Sequence, residues 1–453
     1  MKRILLTGGF GNHDNGDEAQ LTAVLANIRK LIPEAHLTLL SDDIENTWSY
    51  HHEETFWAAN HYIRRNLFLR RQAKTQTRQK TEKPANTKRN ASGLKHELVG
   101  FIFGVQIFFR CLLLVFNARR MKKGKKPIFE THETRNFLSL MQNSDLLFNV
   151  GGGNLTSTWR SELHSKCLMF ILCRVFDKPI ILSGQTIGPF RGLADKLLAW
   201  YALNKVSLIT LRERNSVNAL KSIKVTAPLI KVTADDATTL APISQSEVNK
   251  IFEKEGIDTS QRPLIGLNMN GLTYLKKLDV KYEKSKKLLA ELADYLIIKH
   301  HATIVFIPMQ HGDNDDIIPM REITRLMQTK QRSFVLSQYK DTELKGIIGQ
   351  MDLAIGFRYH FAVFAVNSGV PTIGLYLDDY YSAKITGILD LAGQKTKAIN
   401  VDETSTAKMV ALLEETLSNK EQIFLQQSEQ TKKLENLSLL SIRYAKQLLS
   451  AYS

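Results

Sequence analysis

Arg358 and His360 stand two residues apart in the stretch 351–378, MDLAIGFRYHFAVFAVNSGVPTIGLYLD. Arg358 brings a planar fork of donors that fits a carboxylate or a phosphate. His360 can give or take a proton near neutral pH. Together they suit a small anion that undergoes proton chemistry. The two residue types at this spacing are common, so their placement decides the reading. Residues 352–355 and 372–375 read as short buried strands. Residues 361–367 are an apolar run of helical length, closed by Gly369 and Pro371. In such strand–helix–strand units, ligands gather at the carboxyl ends of the strands. The free amides of the helix start add to the anion site. Arg358 and His360 fall at that place.

The elements that must position this pair recur along the chain. Residues 4–7 read as a strand that runs into a loop, 8–18, and a helix carrying Ala19, Leu21, Val24, Leu25 and Ile28. The loop resembles a dinucleotide fingerprint loosely, with the wrong spacing and no acid in the expected place after the second strand. Asp17 and Glu18 either cap the helix or accept hydrogen bonds from substrate hydroxyls. A strand at 146–150 ends in Gly151, Gly152, Gly153 and Asn154, where a backbone can approach a ligand closely. Strands at 180–183, 207–211 and 230–233 end in Gly184-Gln185, Arg212 and Asp235-Asp236. Asp235 and Asp236 have no third ligand nearby, so no metal site is expected. Four polar strand ends outline one crevice rim.

A helix bounded by prolines, 242–263, marks a boundary between an N-terminal unit, 1–245, and a C-terminal unit, 263–420. The second unit reads as strand 264–268, helix 282–299, strand 303–307, a loop with Gln310, and helix 315–328. The 351–378 stretch follows, then Lys384, a second phosphate-binding candidate. Residues 421–453 read as a closing helix that packs back on the first unit.

The net charge of +16 is local. Residues 64–126 hold 18 Lys and Arg against two acids, which accounts for the whole excess. This argues for contact with an anionic surface and against a nucleic-acid partner. Residues 98–116 are almost wholly apolar. Spanning a membrane is disfavoured, because Gln106, Arg110 and Asn117 share one stripe and one crossing would split a sheet. An interfacial or re-entrant helix fits the basic flanks. A buried docking helix or an oligomer contact is the other reading. Cys111, Cys167 and Cys173 show no paired spacing, and no signal peptide is expected, so a cytoplasmic location is expected.

The ordered set of strand ends resembles the polysaccharide pyruvyl transferase family. It runs through Gly11-Asn12, Gly16-Asp17-Glu18-Ala19, Gly151–Asn154, Gly184-Gln185, Ile187-Gly188-Pro189, Arg212-Glu213, Ser216 and Asp235-Asp236-Ala237. It ends with Arg358, His360, Ala365, Gly369-Val370-Pro371 and Lys384. The extra loop residues His13, Asp14 and Asn15 and the large basic insertion depart from the family pattern. The resemblance implies an α/β fold of two Rossmann-like domains facing a cleft, like the GT-B glycosyltransferases. It implies phosphoenolpyruvate as donor, a saccharide acceptor and no cofactor beyond that co-substrate. Arg358 and Arg212 match the arginines that hold the donor, and His360 matches the acid–base histidine. Lys384 and Gln310 are expected beside the donor. Asn12, Asp17, Glu18, Gly152, Gly153, Asn154 and Gln185 are expected beside the acceptor. A lipid-linked acceptor would suit a peripheral enzyme on the inner face of the plasma membrane, held by 64–126. A glycosyltransferase using a nucleotide sugar shares the fold and is the alternative.

Overall fold

The computed structural model describes residues 2–64, 90–271 and 279–451. Two parallel sheets build it. The first carries β1 (Lys2–Thr7), β2 (Ala35–Ser41), β3 (Glu54–Trp57), β4 (Leu146–Asn149), β5 (Gly152–Leu155), β6 (Ile180–Ile187), β7 (Leu208–Leu211) and β8 (Leu229–Val232). Its order is β3-β2-β1-β4-β6-β7-β8, with β5 paired to β6. The second carries β9 (Leu264–Asn268), β10 (Thr303–Phe306), β11 (Ser333–Val335), β12 (Leu353–Gly356), β13 (Thr372–Tyr376) and β14 (Ala398–Asn400). Its order is β11-β10-β9-β12-β13-β14.

Parallel pairing requires a crossover after each strand, and helices supply it on both faces. That is why β4, β6, β9 and β12 are buried along their whole length and read as apolar runs. In the first half the helices are α1 (Asn15–Leu31), α2 (Ile44–His51), α3 (Ala59–Arg64), α4 (Asn90–Lys122), α5 (His132–Asn143), α6 (Arg160–Val175), α7 (Leu193–Leu203) and α8 (Asn215–Ser222). α9 (Gln245–Lys254) lies in the link between the sheets, with a Ser244–Glu247 capping box at its start. The second half adds α10 (Asp279–His300), α11 (Ile317–Leu326), α12 (Asp341–Ile348), α13 (Tyr359–Asn367) and α14 (Asp379–Leu391). It closes with α15 (Thr406–Ser418), α16 (Lys420–Ser438) and α17 (Leu440–Ala451).

Strand alternation sorts the core into layers. Leu5, Leu147, Leu182 and Ile209 face α3, α4, α6 and α7. Ile4, Leu6, Phe148 and Ile181 face α1 on the other side. The tail does return to the first sheet, where Ile442, Ala445 and Leu449 of α17 join that second layer. Residues 421–451, expected as one helix, are divided between α16 and α17. The strand expected at 180–183 runs on through Gly184 to Ile187. The glycines after β4 enter a short strand, β5, instead of an open loop. The short edge strands β3, β11 and β14 escape sequence reading because each has only three or four residues, mostly half-buried.

The basic loop read at 64–93 lies largely outside the described residues, while the apolar run at 98–116 is part of α4. Its polar stripe faces inward. Arg110 pairs with Glu130 at 2.7 Å and donates to the Tyr62 carbonyl at 3.1 Å. Asn117 donates to the Ile128 carbonyl at 2.8 Å, and Leu114 and Ala118 are buried. The inner face of α4 is therefore a docking face. Among the described residues no helix is long and apolar enough to cross a membrane.

Candidate active site

A cavity of about 670 Å³ opens between the two sheets at the carboxyl ends of their strands. The first half contributes Asn12, Asp17, Gly153, Asn154 and Arg212 to its lining. Gln310, Arg358, His360 and Lys384 come from the second half. The two halves are knitted together at this place. Asn15 donates its backbone N–H to the Met309 carbonyl at 2.9 Å, and His311 donates its own to the His13 carbonyl at 3.2 Å.

Three expected acceptor residues lie outside the lining. Glu18 is buried, with one carboxylate oxygen accepting from the Gly11 N–H at 2.8 Å and the other 2.7 Å from His51 Nε2. It shapes the loop beneath Asn12. Gln185 donates to the Val150 and Ser183 carbonyls at 2.9 and 2.7 Å, inside the sheet. Gly152 pairs with Gln185 in the β5–β6 ladder. The residue types suggested substrate contact, but their polar groups are spent on this chain.

Arg358 sits at the start of α13, as expected, with its N–H bound to Asn268 Oδ1 at 3.0 Å. Its guanidinium is not an open fork. Asp316 takes Nη2 at 2.7 Å and Nε at 3.0 Å. Asp14, from the other half, lies 3.3 Å from Nη1. The Nη1 edge is what remains for an arriving anion. Asp316 also accepts from the Gly271 and Met309 N–H groups. Burial pushes its carboxyl up, against the pull of Arg358. Asp316 immediately precedes α11 and was not singled out from the sequence.

Arg212 ends β7 and is almost fully buried. It pairs with Asp235 at 2.7 Å, donates to Thr186 Oγ1 at 2.8 Å, and lies 4.2 Å over the Tyr359 ring. Asp235 also accepts from Gln20 at 2.8 Å and lies 3.5 Å from His360 Nε2. Burial would raise the Asp235 carboxyl, but the charges of His360 and Arg212 outweigh it and hold it well below the usual range. Asp236 accepts from Ser183 and Gly151, and burial pushes it up to about 7. Asp235 thus organises Arg212 and His360, while Asp236 ties Ser183 of β6 to the Gly151 N–H after β4. A carboxylate facing an imidazole fixes the ring's orientation.

Two glycines make the close approaches possible. A Cβ on Gly16 would overlap the His360 imidazole. Alanine is the better helix former by about 1 kcal/mol, so propensity alone favours Gly16→Ala. We expect that variant to push the ring aside and lower kcat by about a hundredfold, as misplaced catalytic groups do. Steady-state turnover alongside thermal unfolding checks this. Wild-type turnover would show that the ring has room. A Cβ on Gly153 would lie 2.6 Å from Lys384 Nζ. The gap left by Gly153 is therefore filled by this chain's own lysine and Tyr380.

Lys384 is the least compensated cation in the cavity. Its ammonium sits 4.2, 5.5 and 6.0 Å from the ring centres of Tyr380, Tyr381 and Tyr359. Among the described residues no carboxylate is within ion-pair distance of it. Burial, and then the charge of Arg212, push it down to about 7. Asp17 faces the same cavity, and burial, helped by the Asp14 charge, pushes it up to about 6. The cavity thus has a cationic wall in the second half. Apart from Arg212, the first-half lining is acidic and polar, with Asp14, Asp17, Asp42, Asp43, Asn154 and Glu162, closed by Trp159. Asp42 and Asp43 directly follow β2, so the second strand does end in acids that face the site. Those two, with Trp159 and Glu162, were not singled out from the sequence. Such an arrangement can hold a small anion on one side and a hydroxyl-rich molecule on the other, with His360 and Asp17 available for proton transfer.

The chain is 21% identical over 295 residues to the amylovoran biosynthesis protein AmsJ of Erwinia amylovora, covering 63% of this chain and 69% of that one. It superposes on a putative UDP-N-acetylglucosamine 2-epimerase from Listeria monocytogenes with a TM-score of 0.56 at 11% identity, over 100% of this chain and 97% of that one. Anabaena HepE in complex with UDP-glucose gives a TM-score of 0.53 at 11% identity, over 100% and 99%. These structures share the arrangement of two Rossmann-like domains expected from the sequence. The sequence profile of the polysaccharide pyruvyl transferases matches residues 16–379, and the chain belongs to that family of transferases.

Proposed function

We propose that the protein moves the pyruvyl group of phosphoenolpyruvate onto two hydroxyls of a saccharide, forming a cyclic ketal. The observation that carries this reading is Lys384. A buried cation with no carboxylate partner among the described residues, lining the same cavity as Arg358 and His360, suits an anion. Phosphoenolpyruvate supplies a carboxylate and a phosphate at the distance of a few bonds. His360 delivers a proton to the methylene carbon C3, which leaves C2 electrophilic. One acceptor hydroxyl adds to C2 as Asp17 takes its proton. The second hydroxyl adds as the phosphate leaves, and the ketal carbon then bears the new methyl group. Of the two hydroxyl protons, one replaces that spent at C3 and the other leaves with the phosphate. Lys384 and Arg358 neutralise the departing phosphate.

The saccharide lies against the acidic wall, where Asp17, Asn154, Asp42 and Glu162 accept from its hydroxyls and Trp159 covers an apolar face. A role in exopolysaccharide assembly follows the Erwinia relative, an amylovoran biosynthesis protein. We take the acceptor to be lipid-linked and the enzyme to work at the inner membrane surface, with the insertion 64–126 against anionic lipid. Incubation with phosphoenolpyruvate and a lipid-linked oligosaccharide should release phosphate and give a pyruvate ketal, visible as a new methyl singlet by NMR. Phosphate release without that methyl signal on the sugar would overturn the reading.

The shifted lysine gives a second test. At pH 8, Lys384 is mostly neutral, because its charge is lost above about 7. Binding a phosphate dianion restores the charge. We expect the donor to take up about one proton at pH 8 and far less at pH 6. Calorimetry in buffers of different ionisation enthalpy measures this number. Equal uptake at both pH values would remove Lys384 from the anion site.

A further inference from the structure

We infer that α7 forms, together with the outward face of α4, a surface that docks on an anionic lipid bilayer. This rests on the proposed membrane location and extends it to a segment outside the basic insertion. The reason lies in what each helix leaves uncovered. On α7 the residues Ala199, Ala202 and Leu203 are buried against the sheet. The opposite face is apolar too. Leu193 is 72% exposed, Leu197 53%, Trp200 44% and Tyr201 43%. These positions follow i, i+4, i+7, i+8, so they form one stripe. A helix that is apolar on both faces is expected to be covered on both.

α4 repeats the pattern. Its polar stripe is turned into the protein, and Phe108, Phe109, Leu112 and Phe116 are left outside. Both helices belong to the same layer, because residues of α4, α6 and α7 share one core with the same side of the first sheet. Lys122, near the end of α4, pairs with Asp177, just beyond the end of α6, so the two helices finish together.

Charge selects the occupant. Lys196 on α7 and Arg191, two residues before the helix, are exposed. Its one acid, Asp195, is buried and bound to Arg160 and His164, each at 2.9 Å. α4 has no acid between Val105 and Lys122, and Arg119, Lys123, Lys125 and Lys126 follow its apolar face. Exposed Phe, Leu, Trp and Tyr edged by bases suit the headgroup region of an anionic bilayer. The Arg160–Asp195 pair also ties the first turn of α7 to Trp159 at the cavity wall. Docking by this face would set the mouth of the cleft near the surface from which a lipid-linked saccharide rises.

The test uses the full chain and sedimentation with phosphatidylglycerol-containing or pure phosphatidylcholine vesicles. Wild type should bind the anionic vesicles and weaken as salt rises. The pairs L197E/W200E on α7 and F109E/L112E on α4 should each lower partitioning by about tenfold or more. Because these side chains are exposed, thermal unfolding should stay near wild type. Phosphate release with a short soluble saccharide should be kept. If that release is missing in wild type as well, the donor reading fails and the vesicle result still stands alone. Wild-type binding by L197E/W200E would overturn the inference. So would a wild type that ignores vesicles yet forms a dimer split by the same substitutions, which would assign the face to a second copy of the chain.

Discussion

Arg358→Ala is expected to abolish donor binding and to weaken the fold with it. The two effects share one cause. Asp316 is fully buried and depends on this guanidinium for its counter-charge. Removing one partner of a buried pair costs about 3–5 kcal/mol, because the other charge is stranded. Arg358→Lys separates the effects. It keeps a positive charge for Asp316 but loses the fork that serves Asp316 and the ligand together. We expect Arg358→Lys to hold most of the stability while donor affinity falls at least about tenfold. Denaturant unfolding and calorimetry on both variants measure this. An Arg358→Ala protein that binds phosphoenolpyruvate normally would show that the guanidinium serves Asp316 alone.

His360→Gln should do the reverse, leaving the donor bound and stopping its chemistry. The imidazole lies 3.5 Å from Asp235, over Gly16, with its Nε2 buried and unbonded. Such placement suits a proton carrier better than an anion clamp. Loss of a general acid lowers kcat by about 10²–10⁴. Glutamine keeps polar reach and nearly the same volume, so the Kd of the donor should barely move. A fall in affinity with kcat unchanged would make His360 a binding residue and move the proton transfer elsewhere.

The strands were legible because parallel sheets bury both faces. An unbroken apolar run such as 264–268 has few other readings, and it is β9 without change. The cavity was legible for a related reason. A polar residue that ends such a run, like Arg212 or Arg358, stands at the carboxyl edge where crevices form. What could not be read was which polar group another part of the chain claims first. Asp316 and Arg358 are 42 positions apart, and Asp14 and Arg358 are 344 apart. No local pattern links them, so both arginines looked free. Glu18 and Gln185 lie outside the lining for the same reason, since Glu18 is held by the Gly11 N–H and His51, and Gln185 by the Val150 and Ser183 carbonyls. The insertion shows the limit most clearly. Arg110 and Asn117 read as one polar stripe with no side assigned, and Glu130, beyond the end of the helix, draws them inward. The apolar face was then left outside.

The most direct measurement of the central claim is calorimetric titration of phosphoenolpyruvate into wild type and Lys384→Met. Wild type should bind saturably, and the variant should not. The variant should also be no less stable near pH 7. Burial lowers the lysine from 10.5 to about 7, so in the folded state its charge is disfavoured, and methionine removes that penalty. Saturable binding lost in a folded Lys384→Met protein would establish the anion site and its cation. No heat from phosphoenolpyruvate with either protein, beside saturable binding of a sugar nucleotide, would contradict the account and turn the same cleft into that of a glycosyltransferase.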